Sequence, residues 1–156
     1  MTTELEDLKI LQSAESIADA VWKLIVQWDE FAKAVVGKQI ARSADSVGAN
    51  IAESYGRYNY GEKLQFLYYS RGSLFETKYW LNRARIRDLM QADEVKNYTV
   101  RLSEVARQLN TFANSLKSQR KENKTQYKSI REPELDYVIE DYIPLFTDTE
   151  LIWLES

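Results

Sequence analysis

The residues best able to form a polar site lie within one stretch, SVGANIAESYGRY (46–58). Asn50 lies there one residue before a core position, and Glu53 lies four residues before Arg57, a spacing that suits an ion pair if the helix extends that far. These groups can contact a polar ligand or a nucleic acid. The simpler interpretation is close packing, with Asn50 hydrogen-bonded at the edge of the core and Glu53 paired with Arg57 along the helix.

Histidine and cysteine are both absent from the chain. Their absence removes the side chains most used for acid–base catalysis near neutral pH and for binding transition metals. Asp45, Glu53 and Glu62 carry the oxygen ligands that Mg²⁺ prefers, but nothing in their spacing marks them as a cluster. The chain also lacks the GxxxxGK[ST] loop that binds phosphates. We therefore expect no enzymatic activity, no metal site and no cofactor.

Positive charge recurs along the third helical segment, where Arg71, Lys78 and Arg85 are spaced by seven residues. Such a row attracts nucleic acid, and several phosphate contacts make the binding strongly dependent on salt. The residues expected to contact nucleic acid are Arg42, Arg57, Arg71, Lys78, Arg83, Arg85 and Arg87. The alternative is a solvated helix face on which acids such as Glu76 and Asp88 balance the bases.

The charges are divided unevenly along the sequence. Residues 1–131 contain all 21 lysines and arginines against 16 acids, whereas residues 132–156 contain eight acids and no base. The final segment is too rich in aromatic and aliphatic residues for a solvated tail, because burying a few of them offsets the ordering of a short segment. We expect it to dock, and one hypothesis is that it covers the basic face by mimicking phosphate charge. Alternatively, it is a docking peptide for a partner protein.

Apolar residues recur at spacings of three and four in four segments, and each segment predicts an amphipathic helix. The four stripes are, in chain order, Leu11, Ala14, Ala18, Val21, Ile25 and Trp28; Val36, Ile40, Ala44, Val47 and Ile51; Leu64, Leu67, Tyr68, Leu74, Phe75, Leu81 and Ile86; and Val95, Tyr98, Leu102, Val105, Leu109, Phe112 and Leu116. The third predicted helix is the longest and runs from about Gly61 to Met90.

Several residues predict where these helices begin and end. Asp29 is a favoured N-cap for the second helix. Gly56 predicts the left-handed residue that ends this helix. Asn59 and Glu62 have the spacing of a capping box at the start of the third helix, and Asp93 predicts the N-cap of the fourth.

Four such helices with short connections predict an all-α protein, an antiparallel up-down four-helix bundle with a C-terminal acidic and aromatic docking tail. The expected division is a bundle over residues 1–120, a polar linker over 121–131, and a tail over 132–156 that docks on the bundle or on a neighbouring subunit. The start of the chain has no signal-peptide pattern, and no run reaches ~18 apolar residues. We expect a cytoplasmic bacterial protein without membrane association.

The stretch ARSADSVGANIAESYGRY (41–58) resembles the signature of the four-helix-bundle proteins encoded by intervening sequences of bacterial large-subunit ribosomal RNA genes. The family-motif residues are Asn50, Glu53, Gly56, Arg57 and Arg71, with further matches in Arg42, Ser46, DLKI (7–10), Glu62, FLY (66–68) and RGSL (71–74). The resemblance covers about residues 7–117. Gly48 and Ser54 depart from the usual proline and glycine of the family, and the 132–156 tail has no counterpart in it.

This resemblance implies a helical bundle that assembles with copies of itself. The family is similar to the accessory variability protein of diversity-generating retroelements, a basic pentameric bundle that binds a reverse transcriptase and nucleic acid. We therefore expect a non-enzymatic homo-oligomeric scaffold or interaction protein, with a pentamer as the first choice of stoichiometry. The alternative is a nucleic-acid-binding accessory factor of a reverse transcriptase or of an RNA-processing complex.

Overall fold

The computed structural model describes residues 4, 5, 8–126 and 144–156, with side chains described up to residue 123 in the longest helix. These residues form helices and connections, and no strand occurs among them. The helices are α1 (Lys9–Ile25), α2 (Glu30–Ala32), α3 (Lys38–Gly56), α4 (Tyr60–Ile86), α5 (Ala92–Gln126) and α6 (Asp148–Glu155), and a π-helical segment (Lys33–Gly37) joins α2 to α3. The all-α class is therefore confirmed for the described part of the chain.

The predicted apolar stripes form the core. Most of their members are buried, and the deepest include Ile40, Ile51, Leu64, Leu67, Leu74, Leu81, Val105 and Leu109. Trp28, Tyr98 and Phe112 are only half-buried and pack against the edge of this core. Ile86 was wrongly placed in the third stripe, because it lies in the last turn of α4 and is exposed.

Helices α3 and α4 run antiparallel, as two hydrogen bonds show. Near the start of α3, the Thr77 hydroxyl donates to the Ser43 hydroxyl at 3.0 Å. Near the end of α3, the Ser54 hydroxyl donates to the Lys63 carbonyl at 2.7 Å. Residue numbers that rise along α3 therefore meet numbers that fall along α4.

Helix α1 packs closely against α3 and the π-helical segment. A Cβ atom added at Gly37 would lie 2.6 Å from Ile25 Cγ2, whereas one added at Gly48 would lie 3.5 Å from Leu11 Cδ1. The first distance is far inside van der Waals contact and the second is ordinary. Gly37 is thus the position where the absence of a side chain permits the approach of α1.

The end of α3 differs from the prediction. Gly56 is the last helical residue, and no glycine among the described residues has a positive φ. The carbonyls of Ser54 and Tyr55 instead accept hydrogen bonds from Lys63 Nζ, at 3.3 Å and 2.9 Å. Because a lysine of the next helix satisfies these terminal carbonyls, a left-handed glycine is not required there.

The helix starts were predicted with mixed success. The Asp29 carboxylate accepts from the Ala32 N–H at 2.9 Å, so the N-cap of α2 is confirmed. Helix α4 begins at Tyr60, but Asn59 makes no side-chain cap, so the capping box with Glu62 is wrong. Asn59 contributes only its carbonyl, which accepts from the backbone N–H of the first turn.

Helix α4 ends at Ile86, four residues before the predicted end at Met90. Asp88 follows with a φ of 58°, in the left-handed region. The N–H of Asp88 donates to the Arg85 carbonyl at 3.1 Å, and the N–H of Leu89 donates to the Ala84 carbonyl at 2.9 Å. These two bonds make a Schellman motif, with aspartate in the place that glycine usually occupies.

Helix α5 begins at Ala92, which places Asp93 inside the first turn rather than at the predicted N-cap. A carboxylate in the first turn still interacts favourably with the positive end of the helix dipole. The helix continues to Gln126, so the first six residues of the predicted 121–131 linker are helical. Residues 127–131 lie outside the described residues.

Candidate functional site

Residues 144–156, here called the docked segment, lie in a groove between α4 and α5. Leu145, Phe146 and Leu154 are all at most 3% exposed. The segment belongs to the 132–156 tail that was expected to dock, of which residues 132–143 lie outside the described residues. Helix α6 starts at a capping box, in which Thr147 and Glu150 satisfy each other's backbone N–H groups.

Asn110 of α5 binds the main chain of the docked segment at Phe146. Its Nδ2 donates to the Phe146 carbonyl at 2.8 Å, and its Oδ1 accepts from the Phe146 N–H at 2.7 Å. One side-chain amide therefore satisfies both polar groups of a buried residue. An unpaired buried N–H or carbonyl would carry a desolvation penalty, so this pair of bonds permits the Phe146 ring to enter the core.

Arg71 of α4 contacts the segment just before its capping box and at Glu150, a member of the box. Its Nε donates to the Leu145 carbonyl at 2.8 Å, and its terminal nitrogen forms an ion pair with Glu150. The guanidinium also lies 4.8 Å from the centre of the Phe75 ring, within cation–π range. Arg71 is thus held by a carbonyl, a carboxylate and an aromatic face.

Lys78 lies seven residues after Arg71, two turns further along α4. It is only 2% exposed. Its Nζ donates to the carbonyls of Trp153 and Leu154 and to the Ser156 hydroxyl, the last two at 3.2 Å. These acceptors lie at the C-terminal end of α6, where the helix dipole is negative and favours a cation. Burial, together with the positive charge of Lys96 nearby, lowers the pKa of Lys78 from its ordinary value of 10.5.

Aromatic rings fill the middle of the groove. Phe75 of α4 stacks on Phe146 and on Trp153, with ring centres 5.9 Å and 5.4 Å apart. Parallel, offset rings at such distances add stabilisation beyond the area that they bury. Phe75 therefore connects the two ends of the docked segment.

Helix α5 supplies the second basic wall of the groove. Arg107 forms an ion pair with the Glu155 carboxylate at 3.1 Å. The Glu155 carbonyl accepts from Lys96 Nζ at 2.5 Å and from the Thr99 hydroxyl at 3.3 Å. With Arg71 and Lys78, the groove carries four cationic side chains facing a segment with two contacting carboxylates.

The family-motif residues lie away from this groove, apart from Arg71. Asn50 Nδ2 donates to the Ser46 carbonyl at 2.8 Å, one turn earlier in α3. Glu53 and Arg57 form an ion pair across one helical turn, and Gly56 is exposed. Asn50 and the ion pair thus follow the simpler structural interpretation of the stretch.

The seven residues expected to contact nucleic acid do not share one surface. Arg71 and Lys78 face the docked segment, while Arg42, Arg85 and Arg87 are exposed. Arg83 is half-buried. A sequence signal for this division exists, because the leucines at positions 67, 74 and 81 alternate with Arg71 and Lys78 at spacings of three and four. Cations on a buried stripe require partners.

Asn110, Phe75, Lys96 and Thr99 contact the docked segment but were not predicted as site residues. Asn110 directly follows the core residue Leu109, as Asn82 follows the core residue Leu81. Only the course of the docked segment gives these residues a role. No spacing pattern in the sequence marks them.

A second, open groove of about 330 Å³ lies between α1 and α3. Small residues line it, with the acids Glu15, Asp19 and Asp45 beside them. Burial raises the pKa of Asp45 above 3.8, and the negative charge of Asp19 raises it further. Within the described residues, no three acidic, histidine or cysteine side chains are grouped to hold a metal ion.

Across the described ranges of the chain, every helix is too short or too polar to cross a membrane. No curated protein matches the chain. The sequence profile of one family, described as 23S rRNA-intervening sequence protein, matches residues 6–111. The match spans α1 to most of α5 and includes Arg71, but it ends before the docked segment. Because the match covers more than half of the chain, this protein belongs to the 23S rRNA-intervening sequence protein family.

Proposed function

We propose that this chain is a non-enzymatic interaction protein that assembles as a homo-oligomer in the cytoplasm. Its four long helical stretches form an antiparallel up-down bundle, for which the antiparallel pairing of α3 with α4 is the main support. The contact between Tyr60 at the start of α4 and Asn123 near the end of α5 extends the same pattern. A pentamer is the first choice of stoichiometry, by resemblance to the retroelement accessory protein.

The observation that carries the proposal is an apolar surface around the turn between α1 and α2. Trp22 and Val26 precede this turn and Phe31 and Val35 follow it, and all four are exposed, Phe31 at 78%. Trp22 lies in α1 and Val26 directly after it, while Phe31 lies in α2 and Val35 in the π-helical segment. Grouped large apolar side chains on a surface indicate a protein interface.

Light scattering tests this assembly directly. The wild-type chain is expected to give a multiple of 18.3 kDa, and the double variant Trp22→Ser/Phe31→Ser is expected to shift the mass towards one subunit. Val100→Ser is the matched control, because it removes an exposed apolar side chain from α5. A single-subunit mass for the wild type would reject the homo-oligomer.

A second candidate function is nucleic-acid binding, as an accessory factor of a reverse transcriptase or of an RNA-processing complex. The exposed arginines Arg42, Arg85 and Arg87 favour it, since none of them is covered by the docked segment. Titration with RNA and DNA at several salt concentrations tests it. Affinity that falls steeply with salt and is reduced in Arg85→Gln/Arg87→Gln supports this function. Affinity unchanged in that variant argues against it.

A further inference from the structure

We propose that the groove between α4 and α5 is a recognition site for a short acidic helix of a partner protein, and that the docked segment is its internal counterpart. This proposal deepens the interaction role given above, because it names the class of partner. The groove lies outside the apolar surface proposed for self-assembly. The two proposals can therefore fail separately.

The groove forms hydrogen bonds with main-chain groups of the peptide that it holds. The Asn110 amide offers a donor and an acceptor together, and both are used by the N–H and carbonyl of one residue, Phe146. Arg71, Lys78 and Lys96 add bonds to the carbonyls of Leu145, Leu154 and Glu155, respectively. A capped helix preceded by a bend satisfies this pattern, whereas phosphate oxygens only accept hydrogen bonds and cannot donate to the Asn110 carbonyl oxygen.

Side chains of the docked segment define the specificity. The pair Leu145 and Phe146 enters the core just before the cap, and Leu154 does so seven residues after Thr147. Glu150, at the third position of the helix, reaches Arg71. A partner is therefore expected to carry Leu-Phe, then serine or threonine, a glutamate three residues later and a leucine seven residues after the cap.

Charge favours a partner that is more acidic than the docked segment. Four cations line the groove, and the docked segment pairs with two of them through the carboxylates of Glu150 and Glu155. The groove continues past Ser156 as an open pocket of about 280 Å³, whose lining includes Arg85 and Lys96. A longer peptide with acidic side chains at this end reaches both cations, whereas the Glu155 side chain of the docked segment pairs with Arg107 instead.

The docked segment is only partly buried, which favours its replacement in the groove by a partner's helix. Helix α6 is buried at Leu154, while Ile152 is 68% exposed and Trp153 is exposed as well. The segment is thus held by one helical face and its capping turn. A peptide with the same buried face can occupy the groove without a change in α4 or α5.

Competition between the internal segment and a labelled peptide tests the proposal. The probe is a fluorescent synthetic peptide with the sequence of residues 144–156, and a second probe carries two additional glutamates after the last serine. The acceptor is the full chain with Phe146→Ala/Leu154→Ala, which weakens its own segment. We expect the acceptor to bind the probe about tenfold more tightly than the wild type does, since buried anchors dominate such interfaces. The extended probe should bind more tightly still, with a gain that salt reduces.

Matched variants identify the groove as the binding site. Adding Asn110→Ala to the acceptor should weaken binding about tenfold, whereas Asn114→Ala, on an exposed position of the same helix, should leave it unchanged. Circular dichroism establishes that each acceptor is folded. If the variant Phe146→Ala/Leu154→Ala does not fold, the single variant Glu150→Ala serves as a milder acceptor. Equal binding to all variants, or none by folded acceptors, overturns the proposal.

Two other outcomes also overturn it. Displacement of the peptide by a single-stranded oligonucleotide at equal affinity assigns the groove to nucleic acid. Self-association that depends on Phe146 and Leu154 and not on Phe31 assigns it to the segment of a second copy. Peptide binding that persists in Trp22→Ser/Phe31→Ser, whatever the mass of that variant, separates this proposal from the proposed self-assembly.

Discussion

The side-chain amide of Asn110 in α5 holds the main chain of Phe146 through both of its polar atoms, across 36 residues of sequence. The docked segment otherwise meets the groove through side chains, through the Leu145 carbonyl and through its last carbonyls. Asn110 therefore fixes the register in which Leu145 and Phe146 enter the core.

Replacing Asn110 with alanine should release the start of the docked segment. The N–H and carbonyl of Phe146 would remain buried without partners, which costs about 1–3 kcal/mol for each unsatisfied group. Amide hydrogen exchange at residues 145–156 should accelerate, while exchange within α3 stays unchanged. Asn114→Ala, on an exposed position of α5, is the control, and equal protection in both variants would show that the two bonds do not hold the segment.

Replacing Gly37 with alanine should destabilise the packing of α1. The new Cβ would lie 2.6 Å from Ile25 Cγ2, and the β-branched isoleucine has little rotamer freedom with which to move away. We expect a loss of about 1–3 kcal/mol in the free energy of unfolding, measured with urea. Gly48→Ala, where the nearest atom is at an ordinary 3.5 Å, should be neutral or stabilising. A loss of the same size at both glycines would contradict this account.

Replacing Asp88 with glycine should stabilise the protein. Asp88 has a φ of 58° at the end of α4, where a side chain is disfavoured and glycine is not. The expected gain is up to about 1 kcal/mol, read from the midpoint of thermal unfolding. Asp93→Gly places the same change inside the first turn of α5 and should instead destabilise, because glycine is a poor helix former. A loss at both positions would argue against strain at Asp88.

Replacing Asp45 with asparagine should stabilise the protein at neutral pH. Burial and the charge of Asp19 raise the pKa of Asp45 from 3.8, so the folded chain binds this proton more tightly than the unfolded chain. Stability due to this group therefore falls as the pH rises from 3.8 through the raised pKa, and the penalty is complete above it. The gain should be below about 1 kcal/mol, since the side chain is partly in water.

Urea unfolding of the Asp45→Asn variant at several pH values measures this dependence. The difference from wild type should shrink as the pH falls and vanish well below pH 3.8, where Asp45 is protonated in both the folded and the unfolded chain. Glu15→Gln removes another acid from the same groove and serves as the control for a general charge effect. A gain that persists unchanged in acid would rule out titration of Asp45 as its cause.

The buried helix faces were predictable from the sequence because periodicity alone decides which side of a helix is apolar. Ile40, Ile51 and Leu109 occupy such positions and are buried. The helix ends were less predictable because their partners come from other elements. Gly56 is helical because Lys63 reaches back to the end of α3, and this contact depends on how α4 packs.

The site was predictable only in outline. Charge and aromatic content indicated that the acidic segment would be covered, and the spacing of Arg71 and Lys78 within a leucine stripe could have shown which cations face it. The choice of the α4–α5 groove depends on contacts across more than 70 residues, such as Lys78 with Leu154. Helical periodicity carries no information on contacts at that range.

The order of the chain also sets the order in which the groove is made and filled. Helix α5 ends at Gln126, and Leu154 follows 28 residues later. At about 5–20 residues per second, translation needs a few seconds to supply that stretch. During every round of synthesis, Arg71, Lys78 and Asn110 are therefore made before the docked segment that covers them.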